Sequence, residues 1–274
     1  MPNRLLRFLG VVIVAGVAGF VGSSFSGGNA APGREGSFVD TITSRGELRV
    51  GIAPAPPISG TQPDGTLGGP SVVPLQLLAT QLGVRLTPVA AEWGTIVSGL
   101  QAGRFDVAVN LDATLERATA IQFSRALYEA PAVFVVPAES RFHSAAEVLD
   151  AGPIAVTQGA GYVATIERLG AQLSLVDTIP NALTMVKAGR AVAEFVDLPS
   201  AVGQAQADAS VKIIAPDPAI YRAEAAYGLP ADIDARSRQI IDIAIAETQL
   251  SGELERAFAD AGYRTVDQLG DLAR

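Results

Sequence analysis

WGTIVSGLQAGRFDVAVNLDATLERATAIQFS, residues 93–124, carries a helix, a strand and a charged turn in that order. Ile96, Val97 and Leu100 recur at helical spacing, and Gly103 ends the run. FDVAV (105–109) then follows, apolar but for Asp106, the pattern of a strand buried on both faces. A helix feeding such a strand is α/β wiring. Past the strand the chain turns polar, and Glu116-Arg117 stands between it and Phe123. Taken alone, Arg117 is an ordinary solvated residue at a helix start. Beside a cleft, it needs a negative partner.

The same alternation extends in both directions. Upstream, LRVGI (48–52) and VRLTPV (84–89) read as strands, separated by the helical SVVPLQLLATQLG (71–83). Downstream it restarts after the extended run PAVFVVPA (131–138). PIAVTQ (153–158), GAGYVATIERLG, LSLV, PNALTMVKAGR and AEFVD follow, with a helix from about Pro199. Two successive βαβ series joined by a long extended link predict two lobes, each with its own sheet. The C-terminal RSRQIIDIAIAETQLSGELERAFADAG reads as two helices broken at Ser251-Gly252, packed back on the first lobe.

Composition excludes several function classes. Residues 1–30 have the layout of an export signal: Arg4 and Arg7, a 14-residue apolar run from Phe8 to Val21, and the small residues Asn29 and Ala30. That run is short of the about 20 residues a membrane span needs. Cleavage near Ala30 removes Arg4 and Arg7 and no acid, so the 20 basic residues become 18 against 28 acidic, a formal charge of −10. A chain so acidic is not built to neutralise phosphates, so nucleic acid is not an expected partner. No cysteine is present, which rules out disulfides, thiol catalysis and Cys-bound zinc. The single histidine, His143, leaves no multi-histidine metal site, and it reads as a structural loop residue before the helix AAEVLDA.

One motif points elsewhere. PIAVTQ-GAGYVA-TIERLGAQLSLVD has the outline of a dinucleotide-binding unit, with Gly159, Gly161 and Asp177 in place. The export signal and its position inside the second series argue against a nicotinamide cofactor, and none is expected. The glycines still open a helix whose free N–H groups suit an anion.

Taken in order, GELRVGIAPAPPISG, DGTLGG with LLATQLGV, EWGTIVSGLQAGRFDVAV, TLERATAIQFSRALY, IAVTQGAGY, ALTMVKAGRAVAEFVD and DIDARSRQIIDIAIAETQLSGELERAF make the chain resemble the exported solute-binding proteins of bacterial ABC importers. The family in question binds polar amino acids, and the resemblance runs from about Gly46 to Tyr263. It implies an α/β, two-lobed type II periplasmic binding fold, a clamshell with two hinge segments. On that plan residues 1–30 are the signal peptide and 31–44 a linker. Residues 45–130 with 224–274 form the first lobe, and 131–223 the second.

The resemblance also implies a site. Arg117 matches the arginine that holds the ligand's α-carboxylate, with Asn110 and Asp112 just upstream. Gln158, Gly159, Ala160 and Gly161 match the family's Q-G-T-T loop, and Asp197 the aspartate that holds the α-ammonium, while an N-cap reading of Asp197 can coexist. Departures are as informative. Ile58 stands where an aromatic wall is common, Ala55 where a tyrosine is, and Ala160 and Gly161 lack the threonine hydroxyls, leaving only backbone donors. Ser71 and Val192 replace two family acids. Asp112 takes the place of a small hydroxyl and repels a carboxylate unless it pairs with Arg117 or with a ligand cation. Trp93 matches the family tryptophan and reads as core-lining or ligand-facing.

The implied function is capture of a small amino-acid-like solute by a monomer, for delivery to an ABC importer permease, with no catalysis, cofactor or metal. Two other classes stay open: an accessory or sensor protein with an altered pocket, and an exported dehydratase using Asp112 or Glu92 as general acid or base.

Overall fold

A computed structural model describes residues 37–62 and 64–273, so the export segment expected over 1–30 lies outside the described residues. The description opens with α1 (Phe38–Arg45), begun by the Ser37 hydroxyl, which accepts from the Asp40 N–H, and closed by Gly46 at φ 71°. This corrects the linker expected over 31–44. Val39 and Ile42 are buried, and the N–H groups of Phe38 and Val39 donate to Asp234 (3.0 Å) and Ser237 (3.1 Å).

Next come β1 (Glu47–Ile52), the small hairpin β2 (Gly60–Thr61) and β3 (Leu67–Gly68), α2 (Val73–Leu82), β4 (Arg85–Ala90), α3 (Ile96–Gln101) and β5 (Val107–Asp112). β1 lies between β4 and β5 and parallel to both, with Leu48, Val50, Gly51 and Ile52 buried. Gly51 is required in it, since a Cβ there would lie 2.5 Å from the Phe105 ring.

A single turn, α4 (Leu115–Ala118), leads into β6 (Gln122–Pro137). The second series then runs α5 (Ala145–Ala151), β7 (Ile154–Thr157), α6 (Val163–Arg168), β8 (Leu173–Val176), α7 (Ile179–Lys187), β9 (Ala193–Asp197), α8 (Leu198–Ala207) and β10 (Val211–Ile214). β11 (Arg222–Leu229) returns between β5 and β6, antiparallel to both, before α9 (Ala235–Leu250) and α10 (Glu253–Asp260). β6 is therefore common to two sheets. Its residues 122–131 pair with β11, and 132–137 pair with β9 and β10, while β7 lies parallel between β8 and β9.

Each half buries both faces of its sheet. In the first, Leu48, Val50 and Ile52 pack with Leu75, Ile241 and Phe258 on one side, and Ile96, Leu100 and Phe105 cover the other. In the second, Phe134, Ile154 and Phe195 face α6, and Val133, Val135 and Val202 face the opposite way. The chain passes between the halves within β6 and again between β10 and β11. The carboxyl ends of the parallel strands β5, β7 and β9 carry the polar residues that the sequence singles out, the place where open α/β sheets bind ligands.

Candidate functional site

β5 does not end as a regular strand. Asn110 sits at φ 60°, the one left-handed non-glycine among the described residues, beside a register shift in β11 between Ala226 and Gly228. Holding a non-glycine residue there costs of order 1–3 kcal/mol, and such positions cluster at functional sites. The twist turns the Asn110 amide inward, where the residue is 7 % exposed and neither amide atom has a hydrogen-bond partner.

Two residues on, the strand leaves Asp112 at its end, and the Thr114 hydroxyl caps α4 by accepting from the Arg117 N–H at 3.2 Å. That cap returns the Arg117 side chain to the strand end. Its guanidinium donates to the Asp112 main-chain carbonyl (3.0 Å) and, across to the second half, to the Gly159 carbonyl (2.7 Å). Among the described residues no carboxylate lies within 4.0 Å of it. Pairing of the Asp112 carboxylate with Arg117 is thus not direct. The carboxylate instead accepts from the Tyr221 hydroxyl at 2.9 Å.

The second half contributes two pieces. The loop after β7 crosses so close to Asp112 that a Cβ on Gly161 would lie 2.4 Å from Oδ2 and 2.7 Å from the Tyr221 hydroxyl oxygen, so only glycine fits the closed arrangement. Asp197 ends β9 and caps α8, accepting from the Ser200 N–H and hydroxyl, both at 3.0 Å. The sequence reading allowed this N-cap alongside a ligand role.

Between the halves lies an enclosed cavity with about 30 Å³ open to the centres of water molecules, lined by Asn110, Asp112, Arg117, Ala160, Gly161 and Asp197, with Trp93 at one side. Trp93 is half-buried there, its indole N–H donating to the Pro54 carbonyl at 2.9 Å. Three expected residues do not line this cavity. Ile58 is 1 % exposed inside the apolar core of the first half, so it is not the cleft wall, and Ala55 takes that place. Gln158 is exposed, and its N–H is spent on Val176. Gly159 contributes its carbonyl to Arg117 and faces an outer groove of about 950 Å³. The anion-binding helix start expected at Gly159 and Gly161 is also absent as drawn: α6 begins at Val163, and the Ala160 N–H bonds the Thr157 carbonyl at 3.3 Å.

Thr157, Tyr128 and Tyr162 line the cavity and were not assigned from sequence. Thr157 is 1 % exposed and its hydroxyl has no partner. A polar residue closing the apolar run IAVT was the available signal. Tyr128 lies in the part of β6 that begins before the run PAVFVVPA, and Tyr162 stacks edge-on against Phe195 and Tyr221.

The electrostatics follow from enclosure. Burial pushes Asp112 up to about 6, Arg117 and the Tyr221 hydrogen bond oppose that, and the nearby Asp197 adds to it. Asp197 is likewise raised by burial, against the pull of the two Ser200 hydrogen bonds. Among the described residues no cluster of His, Cys, Asp and Glu could hold a metal ion. The site offers two carboxylates, one guanidinium, and two buried polar side chains without partners.

The bacterial extracellular solute-binding proteins, family 3, match this chain over residues 48–260. A probable amino-acid ABC transporter periplasmic-binding protein of Sinorhizobium fredii is 25% identical over 240 residues, covering 82% of this chain and 80% of that one. The arginine-bound form of truncated ArgBP from T. maritima is similar at a TM-score of 0.70 and 25% identity, covering 76% of this chain and 99% of that one. An ancestral amino acid-binding protein described as a precursor of cyclohexadienyl dehydratase shares the fold at a TM-score of 0.73 and 22% identity, covering 82% and 99%.

Proposed function

Because the chain belongs to the bacterial extracellular solute-binding proteins, family 3, we propose that it captures a small amino-acid-like solute between its halves and presents it to the permease of an ABC-type importer. The observation that carries this reading is that Arg117 and Asp197, one from each half, line a single enclosed cavity. A planar, permanently charged guanidinium suits a carboxylate, and the Asp197 carboxylate suits an ammonium group. Bound between them, a zwitterion replaces the Arg117–Gly159 bond as the tie across the cleft, so the solute itself holds the halves together. Capture and release require no chemistry, and the chain is read as a binding protein rather than an enzyme. Its place is outside the cytoplasmic membrane, as a monomer freed from its N-terminal export segment. The amino-acid ABC transporter relative and the arginine-bound neighbour support the solute class.

A thermal-shift screen of the purified protein against amino acids, amines and small carboxylates tests this. A true ligand at ~100 times its Kd adds about 2.7 kcal/mol to stability. Removing one partner from a buried charge pair typically costs ~3–5 kcal/mol, against ~0–1 for a surface pair. Arg117→Ala and Asp197→Ala should therefore each weaken the ligand about a hundredfold or more. Normal binding by both variants would rule out the clamp.

A further inference from the structure

The charges around the cavity do not balance for a zwitterion. Asp112 and Asp197 both line it, and among the described residues the one cation lining it is Arg117, whose guanidinium already serves two main-chain carbonyls. A neutral amino acid that places its carboxylate on Arg117 and its ammonium on Asp197 leaves Asp112 facing that carboxylate, in an enclosed space where like charges repel far more than in water. We propose that the cleft selects a compact cation, a solute with one more ammonium group than carboxylate, and that Asp112 is the residue that holds the additional positive charge.

This rests on the solute-capture reading and narrows it to a charge class. Independent support comes from the uncharged lining. Asn110 and Thr157 are 7 % and 1 % exposed, border the same cavity, and leave both Asn110 amide atoms and the Thr157 hydroxyl without a partner, the amide nitrogen suited to a carboxylate and the two oxygens to an ammonium group. Polar atoms so deeply buried are rarely left unpaired. An ammonium group carries three donors and no acceptor, so it can use Asp112 together with these two oxygens. Burial lifts Asp112 to about 6, and an ammonium group beside it would favour the ionised form. At about 30 Å³ the cavity holds only a water or two as it stands, so the halves must part somewhat around any solute, and a short one demands the least movement.

Calorimetric titration of the purified protein with four small probes decides the matter: L-2,4-diaminobutyrate, its neutral counterpart L-homoserine, L-aspartate, and the smaller, carboxylate-free ethanolamine. Diaminobutyrate should bind about tenfold or more tighter than homoserine, and aspartate should not bind. Ethanolamine binding as well as diaminobutyrate would support the proposal with a simple amine as ligand, and its failure beside tight diaminobutyrate would support a diamino acid. Asp112→Asn, which keeps a hydrogen-bonding partner for Tyr221, should bring the diaminobutyrate-to-homoserine ratio close to one, and Asp112→Ser provides a second variant if the first is poorly folded. An unchanged ratio in the folded variants removes Asp112 from the argument and overturns it. Homoserine binding as tightly as diaminobutyrate to the unmodified protein overturns the charge class while leaving solute capture standing. If none of the four probes and none of the twenty amino acids binds, both readings fall.

Discussion

Asp197 shows how one residue can serve both fold and ligand. Its carboxylate caps α8 through Ser200 while bordering the cavity, so the two roles separate only by substitution. Asparagine caps a helix about as well as aspartate, whereas alanine loses ~1 kcal/mol. Asp197→Asn should therefore keep the denaturation midpoint of the parent and lose cation affinity, while Asp197→Ala should lose both, as urea denaturation and titration of the same samples will report. Gly161 acts in the opposite sense, by having no side chain. A methyl group there would meet both Asp112 of the first half and Tyr221 of its own half, so Gly161→Ala should lower the unliganded melting temperature and also weaken ligand-dependent stabilisation. A ligand shift as large as the parent's would show that the closed arrangement is not the one that binds.

At the scale of elements, β9 and α8 are joined by a polar pair inside the second half. Glu194 is fully buried and accepts from the Gln204 amide at 2.9 Å, while its Oε1 and the Gln204 Oε1 have no partner. Burial favours the protonated carboxyl, lifting Glu194 to about 8 against the pull of the Gln204 hydrogen bond. A carboxyl raised in the fold stabilises it when protonated. That contribution is complete below the ordinary value of 4.5 and is lost as pH rises through about 8. Glu194→Gln carries a permanent amide donor, so melting curves from pH 5 to 9 should show the parent losing stability relative to the variant as pH rises. Parallel curves would mean that Glu194 does not titrate across that window.

At the scale of the whole molecule, the tail beyond α10 runs from one half to the other. α10 packs on α2 and α9, whereas the Gly262 carbonyl accepts from Gln206 of α8 at 3.0 Å, and Leu269, 4 % exposed, is buried among Val135, Val202 and Ile213 of the second half. The tail is thus a third tie between the halves, besides the two segments at β6 and β11. Deleting residues 265–274 should enlarge the radius of gyration of the unliganded protein in solution scattering and lower its melting temperature, since uncovering a buried leucine typically costs ~2–5 kcal/mol. An unchanged radius would show that the tail does not restrain opening.

Local pattern was enough for the α/β alternation, for β1, β5, β7 and β9 as buried strands, and for the strand end at Asp197, because apolar periodicity and glycine stops act over a few residues, whereas β5 runs to Asp112, past the expected end at Val109. It did not reveal β11 or the first part of β6. RAEAAYGL and QFSRALYEA are rich in alanine and charge, poor strand formers by composition, and they become strands because β5 and each other's backbones supply partners roughly a hundred residues away in sequence. Ile58 was misplaced for a similar reason, since nothing in APPI tells which side of the first sheet it meets. The candidate residues could be chosen one by one from sequence. That Asp112 and Asp197 share one cavity with one arginine, beside an unpartnered Asn110 and Thr157, depends on two sheets meeting edge to edge, and only tertiary packing sets the distances on which charge balance depends.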